Sequence, residues 1–384
     1  MKLKKIYNYG INVDEETLKQ FEDCYSRDFV VAAALMPDAH LGYAAPIGAV
    51  LKTKKFVVPA WVGFDIGCGL IALQIKGKKL VEKIKDNREK IYAKVMKKIP
   101  MGAGNYNKEG VTEKTKNEFK KILEKFEKCP HDKNIANYLK SAAMKHLGTL
   151  GGGNHFIELG TDEKEKELWI VVHSGSRGVG HTVAKKYMMK ASGSKDKSEY
   201  EKTFSLDSSS ETGKEYLNVL DFGLDYALLN RMEIAYKVID ALKEILNEDL
   251  KYEVWVNKNH NHAVYENGFF IHRKGATPAK KNERGIIPGN MRDGSFLVVG
   301  KGNAKFLNSS SHGAGRSMSR KKAREKYSLK EFSEAMKGIK GTVSAETLDE
   351  LPMAYKNISE VMKAQEKSVK IIKHIKPLIN WKGK

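Results

Sequence analysis

From Asp28 to Gln74 the chain is apolar and rich in Gly, Ala, Pro and Val. Within it, Ile47 to Leu51 and Leu70 to Ile75 predict buried strands separated by tight turns that carry polar residues. The contrast recurs downstream. Leu168 to Val172 reads as a short buried strand delivering His173 at its end, and Glu253 to Asn257 as a strand leading into Asn259-His260-Asn261-His262. A hairpin is expected next, because Ala263 to Glu266 and Phe269 to Arg273 flank Asn267-Gly268, the dipeptide suited to the two positive φ angles of a type I′ turn. Ser295 to Val299 is a further strand.

Between these runs the period changes to that of helices. Asn12 to Ser26, Lys79 to Ile99, Thr115 to Lys128 and Phe222 to Leu246 predict helices, Arg316 to Lys326 a basic one, and Lys356 to Lys373 a closing helix with Ile358, Val361, Met362, Val369 and Ile372 on its apolar side. Residues 192–214 are polar and Ser/Lys/Glu-rich and read as a mobile surface excursion, not a domain boundary. With no internal repeat and no long linker, the expectation is one continuous α+β domain over residues 1–384.

The 41% hydrophobic content suffices for a sizeable core, and a formal charge of +21 suggests a polyanionic partner such as nucleic acid. A generally basic proteome would produce the same balance. The three cysteines, Cys24, Cys68 and Cys129, are too few and scattered for a disulfide framework, which favours a reducing compartment. The basic start Met1-Lys-Leu-Lys-Lys-Ile is followed by Asn8, Gly10, Asp14 and Glu15 instead of an apolar signal core. No apolar run approaches the ~20 residues that span a bilayer, so a cytoplasmic location is expected.

Most of the unusual features are polar groups in glycine-rich, otherwise apolar surroundings. Gly63-Phe64-Asp65-Ile66-Gly67-Cys68-Gly69 sets a carboxylate and a thiol on one turn, where both can face one metal. Taken alone, a small buried thiol and a turn-capping aspartate explain it better. Gly151-Gly152-Gly153-Asn154-His155 can wrap phosphate oxygens with bare backbone amides, or be a flexible loop with a satisfied histidine, and the segment alone supports both equally. His173-Ser174-Gly175-Ser176-Arg177-Gly178-Val179-Gly180-His181 runs from a strand towards a helix, where an anion sits well and Arg177 can fork two phosphate oxygens. It lacks the lysine of a Walker loop. In Ser309-Ser310-Ser311-His312-Gly313-Ala314-Gly315-Arg316 a histidine among tiny residues has the open approach a nucleophile needs. A shared site is simpler than a separate structural excuse for each histidine. Asp65, Cys68, His155, His173 and His260 make a mixed O/S/N ligand set compatible with Zn, Mn, Fe or Co.

These segments, in this order, resemble those of the RtcB family of RNA ligases over most of the chain. The similarity includes Met36-Pro37-Asp38-Ala39-His40-Leu41-Gly42, the Asp65/Cys68 turn, the Asn154-His155 and His173 to Arg177 segments, Arg273-Lys274-Gly275-Ala276, Ile287-Pro288-Gly289, Ser311 to Arg316 and Pro352-Met353-Ala354-Tyr355-Lys356. The resemblance implies a single large domain with a mixed β core, covering helices and a central metal and GTP cleft. It implies that Cys68, His155, His173 and His260 ligate manganese, with Asp65 joining when two ions are bound, and that His312 is the guanylylated nucleophile. Asn154, Glu158, Lys274, Ser295, Gly313, Ala314, Gly315, Arg316 and Lys382 then surround GTP, with Glu158 reading the guanine edge. Lys382-Gly383 matches the family's usual chain end, extended by Lys384.

The implied reaction joins an RNA 3′-phosphate, or a 2′,3′-cyclic phosphate once opened, to a 5′-hydroxyl through a histidine-GMP bond, in RNA repair or tRNA splicing. An archease-type activator is a further implied partner, and the lack of an obvious exposed apolar stripe favours a monomer. The chain departs from the family at Asn290, where serine is usual, and over Met291-Arg292-Asp293-Gly294. His181 and His262 are not part of the pattern and read as local structure or RNA contacts. Two other readings stand beside the ligase: a binuclear-metal phosphodiesterase or nuclease, separable by a GTP requirement, and a non-catalytic RNA-binding protein.

Overall fold

The structure, a computed structural model, describes residues 4–77, 79–102 and 104–383. Met1 to Leu3 and Lys384, which entered the reading of the chain ends, lie outside these residues.

The apolar runs become two sheets. The smaller orders Lys5–Asn8, Val30–His40, Ile47–Thr53, Phe269–Lys274 and Asn261–Glu266, its first pair parallel and the rest antiparallel. The larger runs Arg284–Pro288, Ser295–Gly300, Val369–Lys382, Phe156–Asp162, Leu168–Ser174, Gly69–Lys76, Lys251–Asn259, antiparallel throughout, with Lys340–Gly341 added parallel to Val369–Lys382. Its two ends approach each other: Trp255 Nε1 donates to the Gly285 carbonyl at 3.3 Å, and the Arg284 guanidinium lies 4.2 Å from the Trp255 ring centre.

Alternation along the strands fills both sides of this nearly closed sheet. Leu70 and Ala72 join Val171, Val256, Leu297 and Ile375 in one apolar cluster, while Ile71, Leu73 and Ile75 join Ile157, Ile170 and Val172 in another that packs under helices. Strands buried on both faces explain why the sequence reads as continuous apolar runs. The main covering element is the helix Glu211–Leu246, capped by the Ser210 side chain accepting from Gly213 N and ended by Asn247 at φ 52°.

Several expectations hold in detail. Asn267 and Gly268 have φ 50° and 83°, as the hairpin requires, and the helices Glu15–Tyr25 and Glu113–Glu127 fall within three residues of their expected spans. Others need correction. The stretch from Lys79 to Ile99 is two helices, Leu80–Asp86 and Arg88–Lys98, because Asn87 leaves helical geometry and its amide caps the Lys83 carbonyl. The basic helix starts at Arg320, where Ser319 caps it; Arg316 instead bridges to Tyr355. Residues 192–214 hold the short helix Lys197–Tyr200, the strand Leu206–Asp207 paired with Phe56–Val57, and the first turn of the long helix, with Tyr200 and Leu206 buried.

The largest miss is the closing helix. Only Ile358–Ala364 is helical, and Val369–Lys382 is a strand between Ser295–Gly300 and Phe156–Asp162. Ile372, assigned to an apolar helix face, is 43% exposed. Two flanking ladders outweigh a helical period that a β-branched stretch supports only weakly. Trp381, the last residue but one of this strand, is fully buried, stacked on Tyr92 at 5.8 Å and donating to the Tyr92 carbonyl at 3.1 Å. Replacing Trp381 with Ala is expected to cost about 3–5 kcal/mol, and with Phe less than half of that. Urea midpoints of the three proteins measure it, and equal midpoints would show that the strand end is not part of the cooperative core.

Candidate metal and nucleotide site

Strand register brings distant histidines to one end of the larger sheet. Phe156 pairs with His173, Leu70 with His173, and Gly69 with both Ser174 and Asn259. His155 precedes one strand, Cys68 another, His173 is the last residue but one of a third, and His260 is the single residue between the strand Lys251–Asn259 and the smaller sheet's Asn261–Glu266. Cys68 Sγ lies 3.4 Å from His155 Nε2 and 3.2 Å from His173 Nε2; His173 Nε2 lies 3.3 Å from His260 Nε2, and Asp65 Oδ2 3.0 Å from His155 Nε2. The expected ligand set is therefore assembled, as two overlapping groups, Cys68/His173/His260 and Asp65/Cys68/His155, that share the thiol.

The donors fit a metal chemically. His173 Nδ1 donates to the Asn154 carbonyl at 3.1 Å, which leaves its Nε2 lone pair aimed inward, and His155 Nδ1 lies 3.0 Å from the Leu150 carbonyl. Burial lowers the His173 and His260 pKa well below the ordinary value, so both rings are neutral, as ligands must be, and raises that of the Cys68 thiol. Asp65 is held below the usual carboxylate range: burial opposes ionisation, but the hydrogen bond and charge of His155 outweigh it. Gly175 leaves room for this carboxylate, since a Cβ there would stand 2.1 Å from Asp65 Oδ1. The glycine turn and the Arg177 loop also meet, because a Cβ on Gly151, at φ 97°, would stand 2.0 Å from an Arg177 guanidinium nitrogen.

His312 borders this cluster, its ring 4.8 Å from that of His260. Its Nδ1 donates to Asp38 Oδ2 at 2.6 Å, and the same oxygen accepts from the His312 and Gly313 amides at 3.1 and 3.3 Å. Asp38 is fully buried yet ionised: desolvation works against the charge, and His312 more than offsets it. The imidazole is thus fixed with Nε2 as its free nitrogen.

A cavity of about 420 Å³ opens on the other side of His312, lined by Gly313, Ala314, Gly315, Arg316, Asn154, Lys274 and Lys382 among the residues expected there. Lys274 is buried, donates to the Val62 carbonyl at 3.0 Å, and is drawn down to about 8 by desolvation. Glu158 and Ser295 do not line the cavity but lie buried beside it. Glu158 Oε1, Ser295 Oγ and Asn380 Oδ1 find no hydrogen-bond partner among the described residues, and desolvation raises Glu158 to about 8. Unsatisfied buried polar atoms of this kind suit the polar edge of a ligand. At the departing loop, Asn290 also lines the cavity, but its amide oxygen caps its own turn at Arg292 N and Asp293 N, and its nitrogen donates to Asp293.

Sequence reasoning missed several residues. Asp38 was part of a quoted motif without a role. Glu350 gathers Lys382 Nζ at 2.6 Å, Arg316 at 3.4 Å, Arg320 and the Tyr355 hydroxyl. Burial disfavours its charge, but Lys382 and Arg320 prevail and hold it at about 2. Asn230 and Arg231, inside the long helix, bind the ligand-bearing loops. The available signal was their polarity in an otherwise apolar helix.

Fold and site define a mixed α+β protein with a buried thiol, imidazole and carboxylate cluster beside a cationic cavity. The family model for the tRNA-splicing ligase RtcB matches residues 20–383, and the chain belongs to the RtcB family. It is 34% identical to the RNA-splicing ligase RtcB of Escherichia coli K12, covering 99% of this chain and 97% of that protein. The tRNA-splicing ligase RtcB of Nanoarchaeum equitans is 28% identical over 91% of this chain and 87% of its own length. Among the described residues no helix is long and apolar enough to cross a membrane.

Because metal uptake displaces the Cys68 proton while the His173 and His260 rings are already neutral, affinity for a divalent cation is expected to rise about tenfold per pH unit from pH ~6 to ~8. In Cys68→Ala the affinity falls and the slope flattens. A competition titration against a chromophoric chelator measures both, and a pH-independent wild-type affinity would exclude Cys68 as a ligand.

Proposed function

We propose that this protein is an RNA ligase that joins a 3′-phosphate, or a 2′,3′-cyclic phosphate opened first to the 3′-phosphate, to a 5′-hydroxyl at the expense of GTP. The observation that carries the reading is His312: its Nδ1 is occupied by a buried carboxylate, and its ring borders both the ligand cluster and the cavity. Cys68, His155, His173 and His260 hold Mn²⁺, with Asp65 completing the set when two ions bind, as the overlapping groups allow. The metal supplies Lewis-acid neutralisation of phosphate oxygens.

In the first step His312 Nε2 attacks the α-phosphorus of GTP; a P–N bond forms and the bond to pyrophosphate breaks. Asp38 accepts the hydrogen bond from Nδ1–H, which fixes the tautomer whose lone pair is on the attacking Nε2, and it stabilises the ring as it becomes cationic. Arg316, Arg320 and Lys382, all three hydrogen-bonded to the Glu350 carboxylate at the cavity wall, place positive charge beside the nucleotide phosphates. An oxygen of the RNA 3′-phosphate then attacks the His312-linked phosphorus, breaking the P–N bond. Finally the 5′-hydroxyl oxygen attacks the activated 3′-phosphorus, loses its proton and expels GMP. Glu158, Ser295 and Asn380 read the guanine, Glu158 accepting from the donors of its edge. The chemistry needs Cys68 as a free thiol, which fits the cytoplasm, in RNA repair or tRNA splicing with or without an archease-type activator.

The test uses Mn²⁺-loaded protein and GTP labelled at the α-phosphate. Acid-labile label is expected on wild type and absent from His312→Ala, and Asp38→Asn should label about 10²- to 10⁴-fold more slowly. If folded, metal-loaded wild type stays unlabelled even with archease added, the ligase reading fails, and phosphodiester hydrolysis without GTP becomes the alternative to assay.

Since burial keeps Glu158 protonated up to about pH 8 and guanine donors favour its anion, GTP binding at pH ~7 should release a proton. Calorimetry in two buffers of different ionisation heat reads this release. It should vanish in Glu158→Gln, together with the preference for GTP over ATP. Equal proton release in the variant would remove Glu158 from guanine recognition.

A further inference from the structure

A second cavity, of about 580 Å³, adjoins the nucleotide cavity, and its outer rim takes no part in the guanylylation described above. It shares His312, Lys274, Asn154 and Tyr43 with the nucleotide cavity, so the two chambers meet at the nucleophile. Its inner wall carries Asp65, Cys68 and His260. The rim is aromatic and basic. The Phe64 ring lies against the His181 imidazole with centroids 4.7 Å apart and planes at 19°, and Tyr43 meets Phe64 edge-on at 5.9 Å and 87°. Phe64 is partly buried while His181 is exposed, and Tyr43 is 65% exposed. The pair is therefore a flat π surface backed by the core and open to solvent.

Charge accompanies the stack. His181 and Lys185 are one helical turn apart on Arg177–Ser192, so they share a face with Arg177. Lys185 makes no hydrogen bond or ion pair among the described residues, and Lys197 meets Glu201 at 3.8 Å. Three lysines, Lys185, Lys197 and Lys274, thus line the cavity against the acidic Asp65 and Glu201. A planar aromatic surface flanked by lysines is how single-stranded nucleic acid is held without sequence preference.

We propose that this chamber seats the nucleotide that bears the RNA 3′-phosphate: its base stacks on the His181–Phe64 pair, Lys185 and Lys197 meet the adjoining backbone phosphates, and its terminal phosphate reaches the ligand cluster beside His312. The inference rests on the RNA-ligase reading. It assigns the 3′-phosphate to this chamber because that group must meet His312 while the nucleotide cavity is occupied by guanylate.

The test measures the anisotropy of a short, fluorophore-labelled, 3′-phosphorylated single-stranded oligoribonucleotide on Mn²⁺-loaded protein. His181→Ala should weaken binding about fivefold to tenfold, the low end for losing one base-stacking side chain, while His181→Phe should stay within about twofold of wild type. Lys185→Ala should weaken binding and lower the salt slope by about one ion. Wild-type affinity in His181→Ala overturns the proposal, and so does an equal loss in His181→Phe, which would mean a contact through the ring nitrogens. Labelling with GTP in the same preparations separates the two readings: wild type that takes no label refutes the guanylylation chemistry, whereas labelled proteins with unchanged RNA binding refute only this chamber.

Discussion

The site depends on one buried guanidinium. Arg231, fully enclosed in the middle of the long helix, donates to the Gly67 and Ser174 carbonyls at 2.9 Å each and to the Asn257 and Asn259 side chains at 2.8 and 2.6 Å. Asn230 adds bonds to the Thr149 and Gly175 carbonyls and to the Gly148 amide. Gly67, Ser174 and Asn259 are the chain neighbours of Cys68, His173 and His260, and Thr149 lies six residues before His155. Two adjacent helical residues therefore tie down the segments that carry the clustered thiol and imidazoles, and hydrogen bonds to a charged donor are worth roughly 1.5–3 kcal/mol each. Since all four acceptors are neutral, the charge of Arg231 is left to act on the nearby Cys68 and Asp65, and burial lowers its pKa to about 10.

Around that frame, polarity is sorted by burial. The rings of His173 and His260 are neutral because they are dry, whereas Asp38, Asp65 and Glu350 stay ionised because each has a cationic or hydrogen-bonding partner strong enough to offset burial. Glu158 has no such partner and stays protonated to about pH 8. One small region thus holds a cluster of neutral imidazoles, a thiol and an ionised carboxylate, an oriented imidazole and a cationic wall, the parts that the proposed phosphoryl transfer needs.

Much of this was legible in the residues. The Asp65/Cys68 turn, Asn154-His155, His173 and His312 stand out because polar groups in glycine-rich, apolar segments need a reason to be there, and the structure brings them to one place. Asn267-Gly268 fixed its hairpin through local φ preference alone. The strand Val369–Lys382 was not legible, because nothing in its own period reveals that two ladders await it. Nor were Asp38, Arg231 and Glu350, whose partners lie far along the chain. His312, for instance, is 274 residues from Asp38.

The sequence by itself determined the chemistry available: which turns can approach a ligand closely, which side chains can ligate or attack, and that the apolar runs must be buried. The tertiary structure alone decided which of these meet. Antiparallel register set His155, Cys68, His173 and His260 at one sheet end, the smaller sheet carried Asp38 to His312, and the long helix locked the loops. The physical reason is that local conformation follows from each residue's own sterics and hydrogen-bonding groups, whereas convergence requires pairings between distant segments whose energy exists only once the chain has closed on itself.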